Sequence, residues 1–126
     1  MQRVLIIGLA GLLGTLGRFG LSGIVARRFG ETFPTGTLVV NVVGCFLAGF
    51  LFHLMYERLL INEVLRTAIM IGFLGGFTTF SSFGLQTFTL LRDGEIGLAT
   101  VNVLASNIAG LLTVWAGYSV ARVIQG

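Results

Sequence analysis

The chain has 126 residues, of which 55% are hydrophobic and only 10% charged, and its mean hydropathy is +0.95. An ordinary soluble domain carries about 25% charged residues to keep its surface solvated, so lipid is the solvent that suits this composition. The net charge is +3 and all eight basic residues are arginine, but they stand singly or in pairs between apolar runs; nucleic-acid binding, which needs a clustered basic face, is set aside.

A membrane-spanning helix needs roughly 20 mostly apolar residues. Val4 to Ala26 supplies the first span, interrupted only by Arg18. Its start resembles a signal peptide, but no small-residue cleavage pattern follows and three more spans do, so it is read as a helix. Arg27, Arg28 and Glu31 mark water, and Pro34 opens the second span at a position where proline is tolerated. That span runs from Thr35 to Tyr56 and is closed by Glu57 and Arg58. Glu63 and Arg66 precede the third span, from about Thr67 to Leu91, and Arg92-Asp93-Gly94-Glu95 forms a tight polar turn. Ile96 to Val120 is the fourth span, with Trp115 and Tyr118 near its end as interfacial anchors. The expected fold is an all-α membrane protein: one four-helix transmembrane domain over residues 1–126.

Four spans put both termini on one side. That side holds Arg3, Arg58, Arg66 and Arg122, and the other holds Arg27, Arg28 and Arg92. Four against three gives almost no orientation by the positive-inside rule. Insertion both ways, and with it an antiparallel homodimer, is one reading; a single orientation fixed by other determinants is the other.

In the first span Gly8, Gly11, Gly14, Gly17, Gly20 and Gly23 recur every third residue. A three-residue step drifts by about 60° on a helix, so these glycines sweep around it and predict packing against several neighbours.

No catalytic constellation is present. All five acids lie at span ends or in loops, and the absence of an intramembrane carboxylate also argues against proton-coupled export. The single Cys45 excludes an intrachain disulfide, and with the single His53 it gives no multi-ligand transition-metal site; both are expected to be packing residues, His53 with no partner apparent in the sequence. What remains is neutral polar groups inside the spans. Thr37, Asn41, Gly44 and Ala48 share one face of the second span. Asn102, Ser106, Gly110, Thr113 and Gly117 share one of the fourth. Such faces serve either close packing with hydrogen bonds or the lining of a narrow pore. The third span adds Gly75-Gly76-Phe77-Thr78-Thr79-Phe80-Ser81-Ser82-Phe83. Paired glycines and β-branched threonines weaken a helix, which predicts a break at mid-membrane. Freed carbonyls there are ready ligands for a hard cation. Phe80 and Phe83 lie one turn apart, and the positive edges of their rings suit an anion.

This run closely resembles the centre of the Fluc fluoride channels, the CrcB family. Gly11-Leu12-Leu13-Gly14-Thr15-Leu16-Gly17-Arg18 is similar to that family's first-helix motif, and Gly36-Thr37-Leu38-Val39-Val40-Asn41-Val42-Val43-Gly44 to its second. The resemblance implies a multi-pass protein of the cell inner membrane, a dual-topology antiparallel homodimer with two fluoride pores. It implies that Asn41, Phe80 and Phe83 meet the ion, and that Ser81, Ser82, Ser106 and Thr113 belong to a polar track. It implies a central structural sodium ion held by the backbone carbonyls of Gly75 and Thr78 from both subunits. Arg18 is either a vestibule residue that draws anions in or a snorkelling interfacial arginine. Gln86 departs from the pattern, standing where many relatives are expected to carry an acid. Two rivals remain open: a small dimeric drug exporter, disfavoured by the missing intramembrane acid, and a non-transporting assembly subunit.

Overall fold

The computed structural model describes residues 1–58 and 61–126. Four of its helices are long and apolar enough to cross a membrane: Gln2–Phe29, Thr35–Arg58, Glu63–Arg92 and Ile96–Gln125. Most run a few residues past the apolar bounds expected from composition. A helix of 28 to 30 residues is about 42–45 Å long, which covers the headgroup regions as well as the hydrocarbon. Helical hydrogen bonding therefore continues after the apolar run stops. Arg27 and Arg28 sit in the last turn of the first helix, where cations complement the negative end of the helix dipole.

The first span is one helix, α1 (Gln2–Phe29). It ends at Gly30, whose φ of 79° is reached at little cost only without a side chain. The second is α2 (Thr35–Phe52), continued by a π-helical turn over His53–Arg58. The third begins with α3 (Glu63–Thr67), capped by the Asn62 side chain, which accepts from the Leu65 N–H at 2.8 Å. A π-helical stretch (Ala68–Phe73) and the short α4 (Leu74–Phe77) follow. Thr78 and Thr79 are then extended, at φ −86°, ψ 157° and φ −150°, ψ 109°. The span resumes as α5 (Phe80–Arg92), and Gly94 at φ 80° turns the chain into α6 (Ile96–Gln125).

Glycine sets how closely these helices approach. A side chain at Gly49 would collide with the Val114 carbonyl, and one at Gly117 with the Phe46 carbonyl, so α2 and α6 meet backbone to backbone. The first span lies against the third in the same way. A Cβ at Gly72 would stand 2.7 Å from the Ile7 carbonyl, and one at Gly14 would strike the Phe73 carbonyl. The glycine sweep of α1 is used for close approach on the side of the third span. A Cβ at Gly11, Gly14 or Gly17 would meet that span, whereas one at Gly8, Gly20 or Gly23 would meet nothing within 4 Å among the described residues. The fully buried core is small, centred on Val40, Met55, Ala68, Ala99 and Ala121, while Leu5, Leu13, Phe19, Leu111 and Trp115 are exposed. Such a surface is stable against lipid or another copy, and not against water.

Candidate functional site

The extended pair Thr78–Thr79 is held from α2. The Asn41 side chain donates Nδ2–H to the Thr79 carbonyl at 3.0 Å and accepts the Thr79 N–H on Oδ1 at 2.8 Å. One amide thus pairs both backbone groups of one residue. Thr79 in turn caps α5, its Oγ1 accepting the Ser82 N–H at 3.2 Å. This diverts two N–H groups, those of Thr79 and Ser82, from the carbonyls they would meet in a continuous helix, namely Gly75 and Thr78. Neighbouring carbonyls are taken: Leu74 accepts from the Thr78 N–H and hydroxyl, each at 2.9 Å, and Gly76 accepts from Arg18 Nε at 3.1 Å. The carbonyls of Gly75 and Thr78 have no donor among the described residues. Two free backbone oxygens suit a hard cation that prefers oxygen ligands, so the chain's own atoms fit the sodium implied by the resemblance. No group of three or more His, Cys, Asp or Glu side chains able to hold a metal occurs among the described residues.

Beside this segment, between the second, third and fourth spans, lies an open cavity of about 410 Å³. It brings together Asn41, Gly75, Thr78, Phe80, Phe83 and Ser106, all expected site residues, with Cys45, expected only to pack, and with Met70 and Asn107, which the sequence did not single out. Phe80 is 83% exposed, and its ring centroid is 5.7 Å from that of Phe83 at a 44° tilt. Ring edges as well as faces are therefore available at the opening.

Four expected site residues lie outside this cavity. Ser81 and Ser82 lie in the first turn of α5, with their hydroxyls 3.5 and 3.0 Å from Thr79 Oγ1. The Thr113 hydroxyl donates to the Ala109 carbonyl of its own helix at 2.8 Å, with Val42 of α2 at 3.4 Å. Arg18 is at Gly76. A second cavity of about 830 Å³ opens where α1 ends, lined by Arg27, Glu31, Thr37, Gln86 and Thr89 among others. There Gln86 Oε1 is buried and meets no donor among the described residues.

The polar faces of the second and fourth spans pack closely through hydrogen bonds and also border the cavity. Gly44 packs on the Thr78 methyl group, Asn102 is buried and donates to Thr87 Oγ1 at 2.9 Å, and Asn41, Ala48 and Ser106 face the cavity. His53, outside the cavity lining, does have a partner. The π-helical turn brings its Nδ1 to 2.6 Å from Glu57 Oε2, and the Tyr118 hydroxyl donates to the same oxygen at 3.0 Å. The four-residue spacing of His53 and Glu57 was the available signal. Asn107 escaped notice because it stands one residue off the Asn102–Ser106–Gly110 face.

Known proteins resemble nearly the whole of this chain. The profile of the family described as CrcB-like protein, Camphor Resistance (CrcB), matches residues 5–118. A protein of Opitutus terrae named Fluoride-specific ion channel FluC is 54% identical, over 96% of this chain and 93% of its own length. Proteins of the same name from Citrifermentans bemidjiense and Geobacter metallireducens are each 48% identical, over 98% and 97% of this chain and 100% and 98% of their own. At that identity and coverage, with four apolar spans and the Asn41–Thr79 junction in place, the chain is a multi-pass membrane protein that belongs to the CrcB family.

Proposed function

We propose that this chain is a fluoride-selective channel that lets the anion leave the cytoplasm passively. The observation that carries the reading is the cavity in which Asn41, Phe80 and Phe83 meet beside the extended residues Thr78 and Thr79, in a family whose similar members are named for fluoride. Hydrogen fluoride enters an acid-stressed cell as the neutral acid and ionises in the less acidic cytoplasm, which traps the anion; a conduit for the anion relieves this. It is not an enzyme.

Fluoride holds its water strongly, so a path for it must offer replacement donors at close range. Amide N–H groups and the positive edges of Phe80 and Phe83 supply these without a fixed charge that would trap the ion. The hydroxyls of Ser81, Ser82, Ser106 and Thr113 extend the polar path along α5 and α6, and Arg18 biases the approach toward anions. Thr78 and Thr79 form a break in the third span, and the working unit is a dual-topology antiparallel homodimer with two pores in the cell inner membrane. The exposed Phe80 and the open side of the cavity are what a second copy would cover. The free carbonyls of Gly75 and Thr78 from both copies would hold a sodium ion, which supplies fixed positive charge at the centre of the dimer.

Efflux from liposomes containing the purified protein tests this, with fluoride and chloride followed by ion-selective electrodes. Fast fluoride release with chloride retained is expected. Folded, dimeric protein that releases neither ion would sink the channel reading and leave an assembly subunit as the better account.

A further inference from the structure

Asn107 lies twelfth along the 30-residue α6, about 17 Å from its start by helical rise, and so well inside the hydrocarbon. It is exposed on the isolated chain and lines the cavity that holds Asn41, Phe80 and Phe83. An amide at that depth is costly unless something answers it. One of its two Nδ2–H donors goes to the Val103 carbonyl of its own helix at 2.7 Å. The other donor and the Oδ1 acceptor have no partner among the described residues.

A count of proton donors at the cavity gives this residue its meaning. The Thr78 hydroxyl donates to the Leu74 carbonyl at 2.9 Å. The Thr79 N–H is taken by Asn41 Oδ1 at 2.8 Å and the Thr79 hydroxyl by Ser82 Oγ at 3.0 Å. The Ser106 hydroxyl is directed at Asn102 Oδ1 at 3.4 Å. Asn41 has one Nδ2–H on the Thr79 carbonyl, which leaves it one. Apart from the weak Cys45 thiol, the uncommitted side-chain donors of this cavity among the described residues are the second N–H of Asn41 and the second N–H of Asn107.

We infer that Asn107 is a second anion-binding amide of this cavity, paired with Asn41 across it and setting how well a small, strongly hydrated anion is held. The inference rests on the fluoride-channel reading. Asn41 is tied at both ends to Thr79 and cannot turn toward an ion without releasing that segment. Asn107 is tied by one bond within its own helix, so it can swing its free N–H while α6 stays intact. The two amides thus have separate roles, a fixed donor that also shapes the path and a mobile donor that follows the ion.

The test compares Asn107→Leu, Asn107→Gln and Asn107→Asp with wild type in fluoride and chloride efflux from liposomes, alongside gel filtration and thermal unfolding in detergent. Loss of one hydrogen bond to a charged group predicts a fluoride rate about ten-fold lower or worse for Asn107→Leu, with the oligomer and melting temperature kept. Asn107→Gln retains an amide and keeps more flux than Asn107→Leu. Asn107→Asp, of the same shape but negative, conducts least. A lipid-facing or purely interfacial asparagine gives the opposite pattern: Asn107→Leu conducts like wild type, whatever happens to dimer stability, and the inference is overturned. If wild type itself is silent, the channel reading falls and this one with it; if wild type conducts and Asn107→Leu matches it, only this one falls.

Discussion

Asn41 reaches a residue 38 positions away and does for Thr79 what a neighbouring strand does in a sheet, pairing its N–H and its C=O together. Asn41→Ala leaves both groups without partners in a part-buried setting, at about 1–3 kcal/mol each, so a marked drop in melting temperature in detergent is expected along with lost flux. Asn41→Asp keeps an acceptor for the Thr79 N–H and should melt closer to wild type, yet it places a negative charge in the anion's cavity and should not conduct. An Asp variant that conducts normally would confine Asn41 to a structural role. Phe80 is the contrasting case. At 83% exposed it contributes little to the fold of its own chain, so Phe80→Ile should leave the dimer intact and cut fluoride flux; undiminished flux would take the ring out of the pathway. Asn41 is legible in the sequence as an amide that is costly in a membrane span, and Phe80 from its one-turn spacing to Phe83 within the motif that resembles the Fluc family. The bond from Asn41 to Thr79 is not, because a contact across 38 residues depends on how two helices dock.

The four spans could be read from apolar run length alone, and the stretch from Gly75 to Thr79 from its poor helix propensity. The π-helical turns at His53–Arg58 and Ala68–Phe73 could not. A π turn widens one ring of hydrogen bonds to suit its neighbours, and no residue type announces it. In the second of them a Cβ at Gly72 would meet Ala10 and the Ile7 carbonyl, so that turn lies where the third span packs against another helix. Glycine spacing is incomplete for the same reason: the sweep of α1 looks uniform, but only at Gly11, Gly14 and Gly17 would an added Cβ meet a neighbour within 4 Å among the described residues. Gly49→Ala or Gly117→Ala drives a methyl group into a facing carbonyl and should separate α2 from α6, with severe loss of folded protein on gel filtration. Gly8→Ala meets open space and should be neutral or stabilising by roughly 0.5–1 kcal/mol through helix propensity. Equal effects of the three substitutions would mean that backbone contact between α2 and α6 does not hold the bundle together.

At the scale of the assembly, the arginines are the charges through which the positive-inside rule acts on a chain. The terminal side has Arg3, Arg58, Arg66 and Arg122 and the other side Arg27, Arg28 and Arg92, too even a division to choose. Two of these arginines are paired with acids, Arg3 lying 3.9 Å from Glu63 and Arg92 3.0 Å from Asp93 in largely exposed pairs that add little stability. Orientation can therefore be steered without disturbing the fold. Gln2→Arg with Gln125→Arg, both at exposed helix ends, raises the terminal side to six arginines against three and should hold the termini in the cytoplasm. Glu31→Arg, Asp93→Arg and Glu95→Arg together give six on the other side against four and should reverse the chain. Labelling of a terminal tag from outside the cell reads the orientation directly. If the working unit pairs opposite orientations, wild type shows both, each biased variant shows one and fails to conduct, and co-expression of the two restores fluoride efflux. If either biased variant alone conducts like wild type, pairing of opposite orientations is not required, and the open side of the cavity beside Phe80 is covered by something other than an inverted copy.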